Sequence, residues 1–297
     1  MRSIRITAAA AAVVLLTGGL AACGDAGNDD SGGREVEAEE NAAEQFDEGT
    51  RMRELADSGT IKVGVKFDQP GLGFKGANDD LPSGFDVEIA KLLVADLGID
   101  PNQSDIYVET ISDNREPFLE NDRVDLVLAT YSITDERRQL VGQAGPYMIT
   151  GQQVLVPTDS DVESIEDLKG EEVCSAEGST SLENVNAAGA VGVPADTYSV
   201  CAEQVVDGSV PAMSTDGSIL LGLAAQYEGE LKVVGDEFSE ERIGVGYSKD
   251  HPEMCQWIND VLTESFEDGS WAEAFELTLG PSGAETPEPP VLDECAA

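Results

Sequence analysis

Residues 125–138 read DLVLATYSITDERR. Val124, Leu126, Val127 and Leu128 make a short apolar run of strand formers. The stretch turns polar at Thr130, Tyr131 and Ser132, and Thr134 is placed to cap a helix whose first turn carries Asp135, Glu136 and Arg137. A strand that runs through a loop into a helix N-terminus leaves backbone N–H groups unpaired at its mouth. With two hydroxyls and a guanidinium beside them, the segment suits a small carboxylate. The plain alternative is that Arg137 and Arg138 lie on a solvated helix face.

Strand and helix alternate outward from this stretch. Upstream, 51–57 reads as a short helix, 61–66 (IKVGVK) as a strand and 68–71 as a loop. A helix over 84–97 (GFDVEIAKLLVADL) puts Phe85, Ile89, Leu92, Leu93 and Leu97 on one face and is closed by Gly98. A strand at 106–111 and a helix at 114–120 lead into the opening stretch. Downstream, strands are expected at 152–156, 172–174, 210–213, 231–234 and 244–247, and closing helices at 252–266 and 271–279. Between them 162–168 starts a new unit, a small-residue loop opens a helix near Ser181, and 197–200 and 202–206 continue the alternation. The tail from Gly283 is proline-rich and expected to be extended. The pattern is that of an α/β protein with parallel sheets flanked by helices, in which ligands sit outside the carboxyl ends of strands. Lys66, Asp68, Gln69, Arg115, Thr130 and Ser132 all fall at such ends.

Composition bounds the function. The 297 residues carry 17 Lys and Arg against 59 Asp and Glu, a formal charge of −42. Nucleic acid is therefore excluded as a partner, since phosphate binding needs a basic footprint. Arg2 and Arg5, the apolar run 8–16 and Leu20-Ala21-Ala22-Cys23 form a signal peptide (1–22) ending in a lipobox. Cys23 is expected to become the lipid-bearing first residue; an ordinary cleaved signal with a cysteine nearby is the alternative. Residues 23–50 are small and acidic, and are expected to form a flexible tether.

Five cysteines occur; without Cys23, four remain, and the sequence alone allows three pairings. No CxxC appears, which argues against a redox dithiol or a zinc knuckle. His251 is the sole histidine and reads as a surface cap before Pro252. No G-x-S-x-G elbow, P-loop or GxGxxG is present. Carboxylate pairs are too numerous for any one to be informative. Catalytic constellations are thus scarce, and no cofactor or metal is expected.

The GFDVEIAKLLVADL helix followed by the ATYSITDER loop resembles the signature of the bacterial extracellular solute-binding proteins of family 3, which bind polar amino acids for ABC transporters. The resemblance spans about 59–280, and KFDQPGLG is similar to the opening of actinobacterial glutamate-binding lipoproteins. It implies a two-lobed periplasmic-binding-protein fold of type II, with crossovers near 148–152 and 241–246 forming a hinge. Lobe one would be 51–150 plus 244–280, lobe two 151–243, and 281–297 a tail. It pairs Cys174 with Cys201 and Cys255 with Cys295, the second bridge stapling the tail.

It also implies roles. Thr130, Ser132 and Arg137 would hold an amino acid's α-carboxylate, with backbone N–H groups from Gly178, Ser179 and Thr180. Asp216 would take the α-ammonium, although an aspartate is equally natural in the local turn. Arg115 and Lys66 would meet a side-chain carboxylate, unless neighbouring acids pair them first. Thr130 stands where relatives often have glycine. The implied function is a monomeric, lipid-anchored binding component of an ABC importer, on the outer face of the cytoplasmic membrane. It would take L-glutamate before L-aspartate and deliver it to permease subunits. Alternatives are a binder of glutamine, asparagine or another polar amino acid, a cyclohexadienyl or arogenate dehydratase on the same fold, and a sensory or adhesion lipoprotein.

Overall fold

The computed structural model describes Arg34 and residues 36–295. The signal peptide and Cys23 lie outside the described residues. The first sheet contains β1 (Val63–Val65), β4 (Tyr107–Glu109), β5 (Leu126–Ser132), β6 (Gly142–Thr150) and β12 (Glu241–Tyr247), in the order β4-β1-β5-β12-β6. A ribbon of β2 (Asp68–Gln69) and β3 (Gly73–Phe74) follows β1. The second sheet contains β7 (Gln152–Pro157), β8 (Glu172–Ala176), β9 (Val191–Ala195), β10 (Ala212–Asp216) and β11 (Leu231–Val234), in the order β11-β7-β10-β8-β9. Each sheet is the floor of one lobe. All seven residues of β5 are buried, as a central strand covered on both faces requires.

The sheets are mixed, where the alternation predicts parallel ones. Four strands of each run one way; β12 opposes its neighbours in the first sheet and β7 in the second. Those two are the strands that follow the passages between lobes. β6 ends at Thr150 and β7 starts at Gln152, so the chain runs straight from one sheet into the other and arrives against the grain. The return, between β11 and β12, spans 235–240.

Helices α1 (Arg51–Ser58), α2 (Phe85–Asp96), α3 (Arg115–Glu120), α4 (Arg137–Leu140), α8 (Met254–Asp268) and α9 (Ser270–Thr278) belong to the first lobe; α5 (Thr180–Ala187), α6 (Tyr198–Val206) and α7 (Gly217–Gln226) cover the second sheet. α2 is buried well beyond its apolar stripe: Phe85, Ile89 and Leu93 face the core, and Asp86, Glu88 and Lys91 are buried too. Phe85 packs edge-on against Trp271 and Phe275 of α9, with centroids 5.9 and 5.3 Å apart.

Two expectations change. The acidic stretch ending at residue 50 is not a tether throughout: Glu39 N–H donates to Ala95 O at 2.9 Å, and Ala42 is buried against Gly98. One alanine and backbone pairing dock what composition alone marks as solvated. The helix capped by Thr134 is also shorter than its spacing suggests. Arg137 N–H donates to Thr134 Oγ1 at 3.2 Å, but α4 is a single turn. The structure bonds Cys174 to Cys201 and Cys255 to Cys295. The second bridge holds the tail so that Asp293 accepts from Arg138 and Arg242.

Candidate functional site

The carboxyl ends of β5 and β10 and the N-terminus of α5 meet around a cavity of about 10 Å³, room for one water-sized sphere. The first lobe lines it with Gln69, Ser112, Arg115, Thr130 and Ser132. The second contributes Ser179, Thr180, Ser181, Tyr198, Asp216 and Ile219. Anything larger than a water molecule could enter only if the lobes parted, a motion that two crossovers permit.

Thr130 sits at the bend. Its φ is +45°, a left-handed backbone in a residue with a branched side chain. The buried carboxylate of Asp86 holds it there: Thr130 N–H donates to Asp86 Oδ2 at 2.7 Å, and the Tyr147 hydroxyl donates to Oδ1 at 2.8 Å. Burial pushes the Asp86 carboxyl up to about 6, against those hydrogen bonds.

Three cations stand close by. Arg115 donates to Ser112 O, Ala129 O and Thr130 O, and lies 4.6 Å over the Tyr131 ring. Arg137 is paired with Glu116 at 3.1 Å, donates to Ser132 O at 2.8 Å and flanks the same ring. One Nη2 of each guanidinium donates to Gly178 O at 3.1 Å. That carbonyl of the second lobe is thus held by a guanidinium on either side, which ties the lobes together. Gly178 has φ +73°, and a Cβ there would meet the Asp113 backbone at 2.8 Å, so only glycine lets the lobes approach this closely. Lys66 is buried with Nζ donating to Ser112 Oγ at 2.8 Å. Burial draws its ammonium down to about 8 and the Arg115 guanidinium down to about 10; Arg137 adds to the second shift. Among the described residues, neither Lys66 nor Arg115 makes an ion pair.

The second lobe offers the opposite charge. Asp216 is buried, its Oδ1 has no partner among the described residues, and burial, reinforced by Glu241, raises its carboxyl well above the usual range. Ser179 caps α5, accepting from Leu182 N–H at 3.1 Å. Thr180 Oγ1 donates to Glu241 at 3.1 Å and lies 3.3 Å from Ser132 Oγ, across the two lobes.

A model of the bacterial extracellular solute-binding proteins, family 3, matches residues 61–279. The chain belongs to this family. The glutamate-binding protein GluB of Corynebacterium efficiens is 36% identical over 288 residues, covering 93% of this chain and 91% of that protein. The ABC transporter glutamine-binding protein GlnH of Bacillus subtilis is 30% identical, over 90% and 94%. Among solved structures, the ancestral amino acid-binding protein AncCDT-1, a precursor of cyclohexadienyl dehydratase, superposes with a TM-score of 0.70 at 29% identity, covering 77% of this chain and 100% of that one.

Within this family 3 solute-binding protein, the expected site residues separate into two groups. Gln69, Arg115, Thr130, Ser132, Ser179, Thr180 and Asp216 line the cavity; Lys66, Arg137 and Gly178 stand behind it, touching residues that do. Asp68 points elsewhere. Its Oδ2 accepts from Tyr198 N–H at 2.9 Å and Ser199 N–H at 3.5 Å, so it ties the first lobe to the start of α6 in the second. Sequence reasoning misses Asp86, Glu116, Tyr131, Tyr198 and Glu241. Asp86 is inside the quoted GFDVEIA motif, yet its role requires β5 to pass its carboxylate. The other two acids do not stand out among 59.

Proposed function

We propose that this protein captures an acidic amino acid, L-glutamate before L-aspartate, between its lobes and delivers it to an ABC permease. The observation that carries the reading is the buried pair of cations, Lys66 and Arg115, with no carboxylate partner among the described residues. Buried charges are costly unless paired, so the site suits a ligand that brings a second carboxylate. Arg137, Ser132 and the N–H group of Thr180 at the start of α5 take the α-carboxylate. Asp216, raised and unpartnered, takes the α-ammonium. Arg115 and Lys66 take the side-chain carboxylate. Similarity to GluB supports this choice, and similarity to GlnH makes glutamine the rival ligand. The lipobox at Cys23 supports a lipid-anchored protein outside the cytoplasmic membrane.

Calorimetric titration with glutamate, aspartate, glutamine, asparagine and arginine tests the reading. Glutamate is expected to bind tightest; a preference for glutamine, asparagine or arginine overturns the assignment. The likeness to AncCDT-1 keeps a dehydratase in view. Incubation with prephenate and arogenate is expected to give no product.

A further inference from the structure

The Thr130 hydroxyl lies 2.7 Å from Gln69 Oε1 and 2.8 Å from Asp86 Oδ2. Both contacts are short enough to need a proton, and a threonine hydroxyl carries one. The second proton has two sources. If Asp86 is neutral, its O–H donates to Thr130, Thr130 donates to Gln69 Oε1, and the Gln69 NH₂ group faces away from Thr130. If Asp86 is ionised, Thr130 donates to Asp86. The second contact then requires the Gln69 amide turned about, its NH₂ donating to Thr130 and its oxygen facing away. Gln69 Nε2 is buried and has no partner among the described residues, and Gln69 lines the cavity. A buried donor without a partner is costly, so this amide is a ligand contact whose sense the chain of hydrogen bonds selects.

We infer that Asp86, acting through Thr130, sets which end of the Gln69 amide meets the ligand, so that a side-chain carboxylate is taken together with a proton on Asp86 and a side-chain amide is not. Asp86 is a positioning residue, and Gln69 the contact that discriminates. The inference rests on the acidic-amino-acid reading. The buried Asp86 carboxyl, pushed up to about 6, puts both arrangements within reach of neutral pH. The charged and titratable groups that act on it are Tyr147 from β6 and Lys66 after β1, with Asp216 from β10 across the lobes and Arg115 from α3 acting in turn on Tyr147 and Asp216.

The expected effect is a proton linkage. Above pH 6 free Asp86 is ionised and glutamate must bring a proton with it. Glutamate affinity should therefore fall relative to glutamine by up to about tenfold per pH unit between 6 and 8. Asp216 must ionise for either ligand's ammonium and cancels in the ratio. Lys66, which also favours glutamate, loses its charge only near pH 8. The test is calorimetry with both ligands at pH 5.5–8.5, in buffers of different ionisation heat, on wild type and on Thr130→Ala. Wild type should show an excess proton uptake for glutamate approaching one. Thr130→Ala should lose the slope between 6 and 7.5 and keep only the fall near pH 8. Gln69→Leu, which has no amide to turn, should behave likewise and serves if Thr130→Ala does not fold. A pH-independent ratio in wild type, or the same slope in the variants, overturns the relay alone. Binding of neither ligand overturns the underlying reading and the relay with it.

Discussion

Arg115 is held on three sides by carbonyls of its own lobe, so its fork is fixed before any ligand arrives. Removing one partner of a buried, hydrogen-bonded charge pair costs about 3–5 kcal/mol. Arg115→Ala should therefore weaken glutamate by at least about a hundredfold and glutamine much less, read by titration calorimetry. Equal losses for the two would mean that Arg115 does not meet the side-chain carboxylate. Asp216 makes the converse case. Its buried carboxylate, raised by burial and by Glu241, is a cost to the unliganded protein. Asp216→Asn should raise the unliganded melting temperature at pH 7, by about 1–3 kcal/mol of stability, while abolishing amino-acid binding. A variant that melts earlier than wild type, or still binds, would remove Asp216 from its role.

α6 is tied to both lobes. Its N-terminus receives Asp68 from the first lobe, and Cys201 within it is bonded to Cys174 of β8, the strand that leads to Gly178 and Ser179. An anion at a helix N-terminus contributes about 0.3–1 kcal/mol, more when partly buried. Asp68→Asn should thus weaken glutamate and glutamine by the same few-fold factor, because it acts on closure rather than on ligand contacts. A selective loss of glutamate would place Asp68 at the ligand instead. The Cys174–Cys201 bridge closes a separation of 27 residues, so its removal should cost about 3.5 kcal/mol in the chain-entropy model, read as a lower denaturation midpoint in Cys174→Ala/Cys201→Ala. The elements nearest the site were the legible ones. β5 is a clean apolar run and α2 has a helical stripe, and both carry the motifs. β9 (VGVPA) escapes because an edge strand with Val191 exposed and Pro194 inside shows no alternation. α7 (GSILLGLAAQ) escapes because it is apolar almost all round and has no stripe to read. The site follows the same rule. Arg115, Asp216 and the 178–180 turn sit in recognisable local patterns. The Asp86–Thr130–Gln69 contacts join residues 61 and 44 positions apart and exist only after folding.

At the scale of the whole molecule, Cys23→Ser should move the protein from the membrane fraction to the soluble extracytoplasmic fraction; unchanged fractionation would mean that Cys23 is not the anchor. The second consequence at this scale is a stability profile set by the unliganded site. The Asp86 carboxyl is raised to about 6 and the Lys66 ammonium lowered to about 8. A carboxyl whose folded value exceeds its unfolded one penalises the folded state in full above the folded value, and the penalty fades as pH falls towards about 4. A lysine whose folded value is depressed penalises the folded state in full below it, and the penalty fades as pH rises towards the unfolded value, about 10.4. Between pH 6 and 8 both costs are complete, each about 3 kcal/mol by linkage. A ligand carboxylate relieves the lysine but brings a proton to Asp86, so saturating glutamate should raise the melting temperature more than glutamine does, by a margin that shrinks as pH rises from 6 to 8. Lys66→Met, which fills the same space without the charge, should be more stable than wild type at pH 7 in the absence of ligand. The difference should shrink above pH 8 and vanish near pH 10, followed by urea denaturation. If Lys66→Met is no more stable than wild type at pH 7, the cation is already compensated within the protein, and the argument that it waits for a ligand carboxylate fails with it.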